Sequence, residues 1–176
     1  DVSQMYPNGL EVNPPMEPGA IGDVLEGQAR PGHFRGMLTV VHRLLSITQA
    51  NYSFFGEKDF QQLTLVKAMV AHTKMPIEIV GVPTVRDEFG LALSSRNRRL
   101  SMQGLERARL IPKAMKKATE VFSSGGSVTE AEIAGRKILE TDSQIEITFD
   151  IFKQTGVQFC NTHSFFISLF AGYKLN

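Results

Sequence analysis

Three short stretches carry residue types that can do chemistry together. The first is Phe55-Gly56-Glu57-Lys58-Asp59-Phe60-Gln61-Gln62, between an apolar run and a helical pattern. Glycine at the carboxyl end of a strand lets a ligand approach the backbone. The helix start that follows offers unpaired N–H groups and the positive end of a dipole. Lys58 adds a point charge suited to phosphate, and the amides of Gln61 and Gln62 can donate and accept toward a hydroxyl or a carboxylate. Taken alone, the stretch reads first as a helix start with a solvated Glu-Lys-Asp. In the second, Ser94-Ser95-Arg96-Asn97, two hydroxyls sit beside a guanidinium in a loop, a set that binds polyphosphate oxygens. By itself it is equally a turn that favours Ser and Asn. The third, Arg30-Pro31-Gly32-His33-Phe34-Arg35-Gly36, places two cations and an imidazole just before a helix, in a loop that Pro and Gly fix. Those groups can converge on an anion, or His33 is an ordinary surface histidine. His42, His72 and His163 show no metal-ligand spacing, and no metal ligand is assigned. The cations Arg107, Arg109, Lys113, Lys116 and Lys117 read as the solvated face of a helix.

The elements that must position these groups follow from periodicity. Tyr6 to Gly36 is dense in Pro and Gly, which forbids a long helix there. Met37, Val40, Val41, Leu44, Leu45 and Thr48 then recur at helical spacing. Tyr52 to Phe55 reads as a buried strand. Leu63, Val66, Met69 and Val70 share a helical face with Asp59 as N-cap, and Ile77 to Val82 is a second strand stopped by Pro83. Helix, strand, helix, strand predicts a parallel sheet with crossover helices, hence α/β. Beyond Val85 the pattern changes to a loop or loose hairpin turning at Asp87-Glu88-Phe89-Gly90. A helix follows from Ser101 to about Phe122, with Leu110, Ile111, Ala114, Met115 and Ala118 as its stripe and Pro112 kinking or splitting it. Ser127 and Glu130 form a capping box for a helix to about Leu139. Ile145, Ile147, Phe149 and Ile151 alternate as a strand would, and Ser164 to Tyr173 reads as one more buried strand.

Composition narrows the function classes. The 176 residues hold one domain, or a domain plus an appendage, and 42% hydrophobic with 21% charged residues is ordinary globular usage. A net charge of +1 argues against a dedicated nucleic-acid binder. No apolar run approaches the length of a membrane span. Cys160, the single cysteine, excludes a disulfide framework and reads as a small buried hydrophobe in a reducing compartment. The chain opens Asp1-Val2-Ser3 without an initiator Met and reads as a piece of something longer.

The order and spacing of the blocks add what no single block carries. Leu25-Glu26-Gly27 leads into the Arg30–Gly36 stretch, and Phe55 to Leu63 comes next. Val80-Gly81-Val82-Pro83-Thr84-Val85-Arg86 and Gly90-Leu91-Ala92-Leu93-Ser94-Ser95-Arg96-Asn97 complete the series. Together they closely resemble the pantothenate synthetase (pantoate–β-alanine ligase) family, and Met5-Tyr6-Pro7-Asn8-Gly9 matches it as well. The resemblance runs almost continuously from Met5 to Arg99 and thins afterwards.

The resemblance implies an α/β fold: residues 1–85 as the latter part of a Rossmann-like ATP- and pantoate-binding domain, and residues 86–176 as a smaller α+β lid. It implies an ATP-dependent reaction in which the pantoate carboxylate is adenylated and the β-alanine amine then displaces AMP. Lys58, Ser94, Ser95 and Arg96 match the phosphate-contacting, catalytic positions, and Gly56 and Asp59 match the ATP-binding turn. Val82, Val85 and Leu93 match contacts around the nucleotide. Gln62 matches a pantoate-binding glutamine, and Arg30, His33, Val40 and Val41 match the substrate side of the cleft. Mg²⁺ is expected to come with ATP, held mainly by phosphates. The resemblance further implies a cytoplasmic enzyme of small-molecule substrates, with no nucleic-acid or membrane partner and a homodimer as the family's assembly. The family's Pro-Thr-Met-Gly loop and His-x-Gly-His signature have no counterpart here, so the chain reads as N-terminally incomplete. Its ending is only an echo of the family's closing segment. The alternative reading is an inactive remnant that binds nucleotide weakly. A third reading, a basic nucleic-acid module using Arg96, Arg98 and Arg99, rests on charge alone.

Overall fold

Phe34, Leu38, Leu65, Val66 and Met69 lose almost all contact with water, and the elements that carry them make up the core of the first of two units. Burying each such side chain contributes about 1.5–3 kcal/mol. A computed structural model describes residues 2–9, 11–145 and 147. Its two compact units are Asp1–Pro83 and Thr84–Asn176.

In the first unit, Pro and Gly keep the leading elements short: α1 (Val2–Met5), a 3₁₀ turn at Gly19–Asp23, and α2 (Glu26–Ala29). Then α3 (His33–Thr48) runs to the first strand. It starts four residues before Met37, because Gly32 at φ 78° makes the left-handed entry and Phe34 supplies an earlier core anchor. The expected stripe holds in part: Met37, Val41 and Leu45 pack on the core together with Phe34 and Leu38, whereas Val40 and Leu44 are 38% and 43% exposed.

Strands β1 (Tyr52–Gly56) and β2 (Glu78–Val82) pair in parallel, Tyr52 opposite Glu78 and Gly56 opposite Val82. Parallel neighbours need a crossover, and α4 (Phe60–Thr73) provides it, burying Leu63, Leu65, Val66, Met69 and Val70. The expected α/β order is therefore present. The burial expected of the first strand is corrected. Phe55 and Ile79 pack on the core, but Tyr52 and Phe54 are 56% and 69% exposed, since alternate residues face opposite sides of a strand.

In the second unit, the hairpin closes through an isolated antiparallel bridge between Arg86 and Ala92. Its turn is tied by Asp87, whose Oδ1 accepts from the N–H groups of Phe89 (3.0 Å) and Leu91 (2.8 Å). Gly90, at φ +82°, packs its backbone toward Pro112, and the Arg109 guanidinium lies 3.5 Å over the Phe89 ring. The helical stretch after Ser101 is split, as Pro112 led one to expect, into α5 (Met102–Ala108), capped by the Ser101 hydroxyl, and α6 (Leu110–Ser123). The break at Arg109 puts Pro112 in the first turn of α6, where its missing N–H costs nothing. Of the expected stripe only Ala114 and Ala118 are buried. Gly135 of α7 (Val128–Leu139) lies against them, 3.2 Å from the Ala114 carbonyl for an added Cβ.

The predicted capping box is formed: the Ser127 hydroxyl accepts from the Glu130 N–H at 3.2 Å, and the Glu130 carboxylate accepts from the Ser127 N–H at 2.7 Å. That N–H, and then the Ser127 hydroxyl, hold the Glu130 carboxyl below the usual carboxylate range. A group with a lowered folded value stabilises above its ordinary pKa and loses that contribution as pH falls through the folded value. The Glu130→Ala variant is therefore expected to melt below the parent at pH 7, by about 3 °C, with the gap narrowing as pH falls below the ordinary carboxylate range and through the lowered folded value. Thermal melts across that range check it, and a gap that persists in acid would refute the capping account. The alternation expected from Ile145 to Ile151 and the strand from Ser164 to Tyr173, with Cys160 and His163, fall outside the described residues apart from Ile145 and Ile147.

Candidate active site

The end of β1 and the start of α4 make one elbow. Gly56 is the last residue of β1, at φ −66° and ψ 131°, a conformation any residue adopts; nothing lies within 4 Å of where its Cβ would be. What glycine contributes here is open space rather than an unusual turn. Glu57–Asp59 then form a single 3₁₀ turn. Asp59 occupies the N-cap position of α4, as expected, but its side chain makes no capping hydrogen bond; its Oδ1 instead lies 3.3 Å from Lys58 Nζ. The Lys58 and Asp59 side chains are 34% and 43% exposed, so this pair is worth a few tenths of a kcal/mol, about 0.5.

The first turn of α4 divides the work of two glutamines. Gln61 turns inward: its Oε1 accepts from the Glu26 N–H at 3.2 Å and its Nε2 donates to the Val24 carbonyl at 2.9 Å and to that of Ile21. The Gln62 amide makes no hydrogen bond among the described residues and is half-buried. Gln61, which the sequence offers as a ligand contact, is therefore engaged within the fold; Gln62 keeps its full hydrogen-bonding capacity.

Arg30 and His33 do come together, through a residue that sequence reasoning gave no role. Glu26 is buried, its Oε1 accepting from Arg30 Nη1 at 2.7 Å and lying 3.7 Å from His33 Nε2. The Arg30 and His33 side chains approach to 3.2 Å. Only nearness in sequence hinted at it, since α2 ends at Ala29 and the left-handed Gly32 starts α3, so the three residues share no helix. Val40 and Val41 lie further along α3, exposed and half-buried respectively, and Val82 ends β2 at 37% exposure.

In the second unit, Ser94-Ser95-Arg96 is not a loose loop. Ser95–Arg99 form a 3₁₀ turn, and the Ser94 hydroxyl caps it by accepting from the Arg96 N–H at 3.2 Å. The Ser94 O–H proton can still donate outward. Ser95 and Arg96 are exposed, and the Asn97 amide fixes the turn to the Ala92 carbonyl at 3.0 Å. Leu93 donates its N–H to the Val85 carbonyl at 2.9 Å, so these two residues flank one another across the hairpin at 55% and 63% exposure. Among the described residues no three His, Cys, Asp or Glu side chains gather as metal ligands would, and no helix is long and apolar enough to cross a membrane.

Comparison with known proteins adds to this geometry. The family profile described as pantoate-beta-alanine ligase matches residues 1–168. Pantothenate synthetase of Mycolicibacterium smegmatis is 44% identical over 147 residues, covering 84% of this chain and 46% of its own. That of Thermus thermophilus is 47% identical over 138 residues, covering 78% and 50%. The chain thus spans about half the length of the curated relatives it matches. Among solved structures, a crystal structure of pantothenate synthetase from Thermus thermophilus superposes with a TM-score of 0.76 at 42% identity over 85% of this chain and 54% of the other. Pantoate-beta-alanine ligase from Francisella tularensis, complexed with beta-gamma ATP and beta-alanine, superposes with a TM-score of 0.65 at 35% identity over 84% and 52%.

Proposed function

The chain belongs to the pantoate–β-alanine ligase family, and we propose that it carries the nucleotide- and pantoate-binding part of an enzyme that joins pantoate to β-alanine at the expense of ATP. In this reading a pantoate carboxylate oxygen attacks the α-phosphorus of ATP and pyrophosphate leaves. The β-alanine amine then attacks the acyl carbon of the pantoyl adenylate, and AMP leaves. The observation that carries it is the elbow after β1. It is open at Gly56, Lys58 stands in its turn, the Asp59 side chain makes no cap for α4, and the Gln62 amide is uncommitted among the described residues.

Each residue then has a physical task. Negative charge builds on the departing pyrophosphate, so cations and oriented donors that meet it there lower the barrier. Lys58, the Ser94 and Ser95 hydroxyls and the Arg96 guanidinium are assigned to the phosphates, with Asp59 on the ribose hydroxyls. Val82, Val85 and Leu93 supply apolar contact to the base. Gln62 holds pantoate, with Arg30, His33, Val40 and Val41 on the substrate side. ATP would bring Mg²⁺ as its counter-ion, held chiefly by phosphate and water. Residues 1–85 serve as the binding domain and 86–176 as a lid, and a cytoplasmic location goes with this reading.

AMP release by the protein encoded in the whole reading frame tests it. Release is expected only when ATP, pantoate and β-alanine are all present. AMP that forms without pantoate, or no AMP with all three, would overturn the assignment.

A further inference from the structure

The carboxylate of Glu26 sits beneath Arg30 and His33 on a backbone that ought not to hold. Leu25, just before it, lies at φ 53° and ψ −119°, a conformation that strains a residue with a side chain. Such strain persists only where neighbours over-determine it. Part of the constraint is steric: Gly27 lies directly under the Gly22 carbonyl, with no room for a Cβ. The rest is Gln61, whose amide accepts from Glu26 N–H and donates to the carbonyls of Val24 and Ile21. One side chain thus commits three hydrogen bonds to a segment 35 to 40 residues earlier in the chain. With the turn so held, the buried Glu26 carboxylate reaches Arg30 at 2.7 Å and His33 at 3.7 Å.

We propose that Gln61 is a positioning residue. It clamps the Ile21–Glu26 turn so that Glu26 holds the Arg30 guanidinium and the His33 imidazole in one fixed orientation relative to the first turn of α4. Fixing them in advance removes the entropy of ordering two mobile side chains when an anionic substrate arrives. The kinetic consequence rests on the functional reading above; the structural one does not.

The test therefore has two arms. By NMR, the parent's Gln61 side-chain N–H protons should exchange slowly. The His33 ring and Arg30 Nε–H resonances should move in both Gln61→Ala and Gln61→Glu, toward their positions in Glu26→Gln. Gln61→Glu keeps an acceptor for the Glu26 N–H but removes both donors, so it separates the clamp from mere bulk. Kinetically, both variants should raise KM for pantoate about tenfold with KM for ATP within about twofold. A residue needed only for stability would lower the melting temperature and leave that ratio unchanged. Freely exchanging Gln61 amide protons in the parent, or His33 and Arg30 resonances unmoved in both variants, would overturn the proposal. If the variants do not fold, the parent's exchange rates decide it. If the parent forms no AMP, the functional reading fails while the NMR arm still decides the clamp.

Discussion

Lys58→Ala is expected to reduce pantoate- and β-alanine-dependent AMP formation by about two to three orders of magnitude. The reason is where the charge develops. The leaving pyrophosphate gains negative charge only as the bond to phosphorus breaks, so a cation held at that point stabilises the transition state more than bound ATP. The turn between β1 and α4 offers a single cation, Lys58, and the half-exposed Asp59 stands 3.3 Å from its ammonium. That pair contributes little to folding, so the melting temperature should stay within about 2 °C. Lys58→Arg should recover only part of the rate, because a planar fork does not reproduce a compact ammonium. Steady-state AMP formation with calorimetric melting checks both. Near-normal turnover in Lys58→Ala would remove Lys58 from the reaction.

The second large effect is on stability. In Gly27→Ala the added Cβ would lie 1.8 Å from the Gly22 carbonyl oxygen and 2.5 Å from its carbon. Neither atom is the end of a flexible side chain, so relief requires the Gly19–Asp23 turn to move off α2. Overpacking of this kind costs about 3 kcal/mol or more, which lowers the melting temperature by about 10 °C. The turn that moves is the one Gln61 holds, so the NMR signal of His33 should shift as well. Thermal melting and that signal are the measurements, and an unshifted melt would mean the turn is far softer than its hydrogen bonds indicate.

The sequence made some of this architecture legible and hid the rest for physical reasons. Local signals were reliable where one short stretch carries the whole cause. Ser127 and Glu130 cap α7 as read, and Asp87 and Gly90 make the hairpin turn. The βαβ order followed from apolar periodicity and from Gly and Pro at the boundaries. Periodicity drew the buried face of α3 too wide on one side, because Val40 and Leu44 are as apolar as Leu38 and only tertiary packing chooses among them. The split that Pro112 signalled is present, three residues earlier, at Arg109. In the candidate site, residue types named Lys58, Gln62, Arg30 and His33. They did not reveal that Gln61 is committed to the fold, because its bonds link segments 35 to 40 residues apart and leave no local trace, nor that the Glu26 carboxylate turns to Arg30.

The two-stranded sheet has a consequence for handling the protein. Among the described residues β1 pairs only with β2, so each strand has one flank of backbone N–H and C=O groups without a ladder partner. On β1 that flank accompanies the outward rings of Tyr52 and Phe54. An uncharged, aromatic-rich edge is a template for adding further strands from other molecules. With that flank open, concentrated solutions should self-associate through Tyr52–Phe55 before the fold itself melts. A lysine in place of Phe54 is the substitution that should keep them clear.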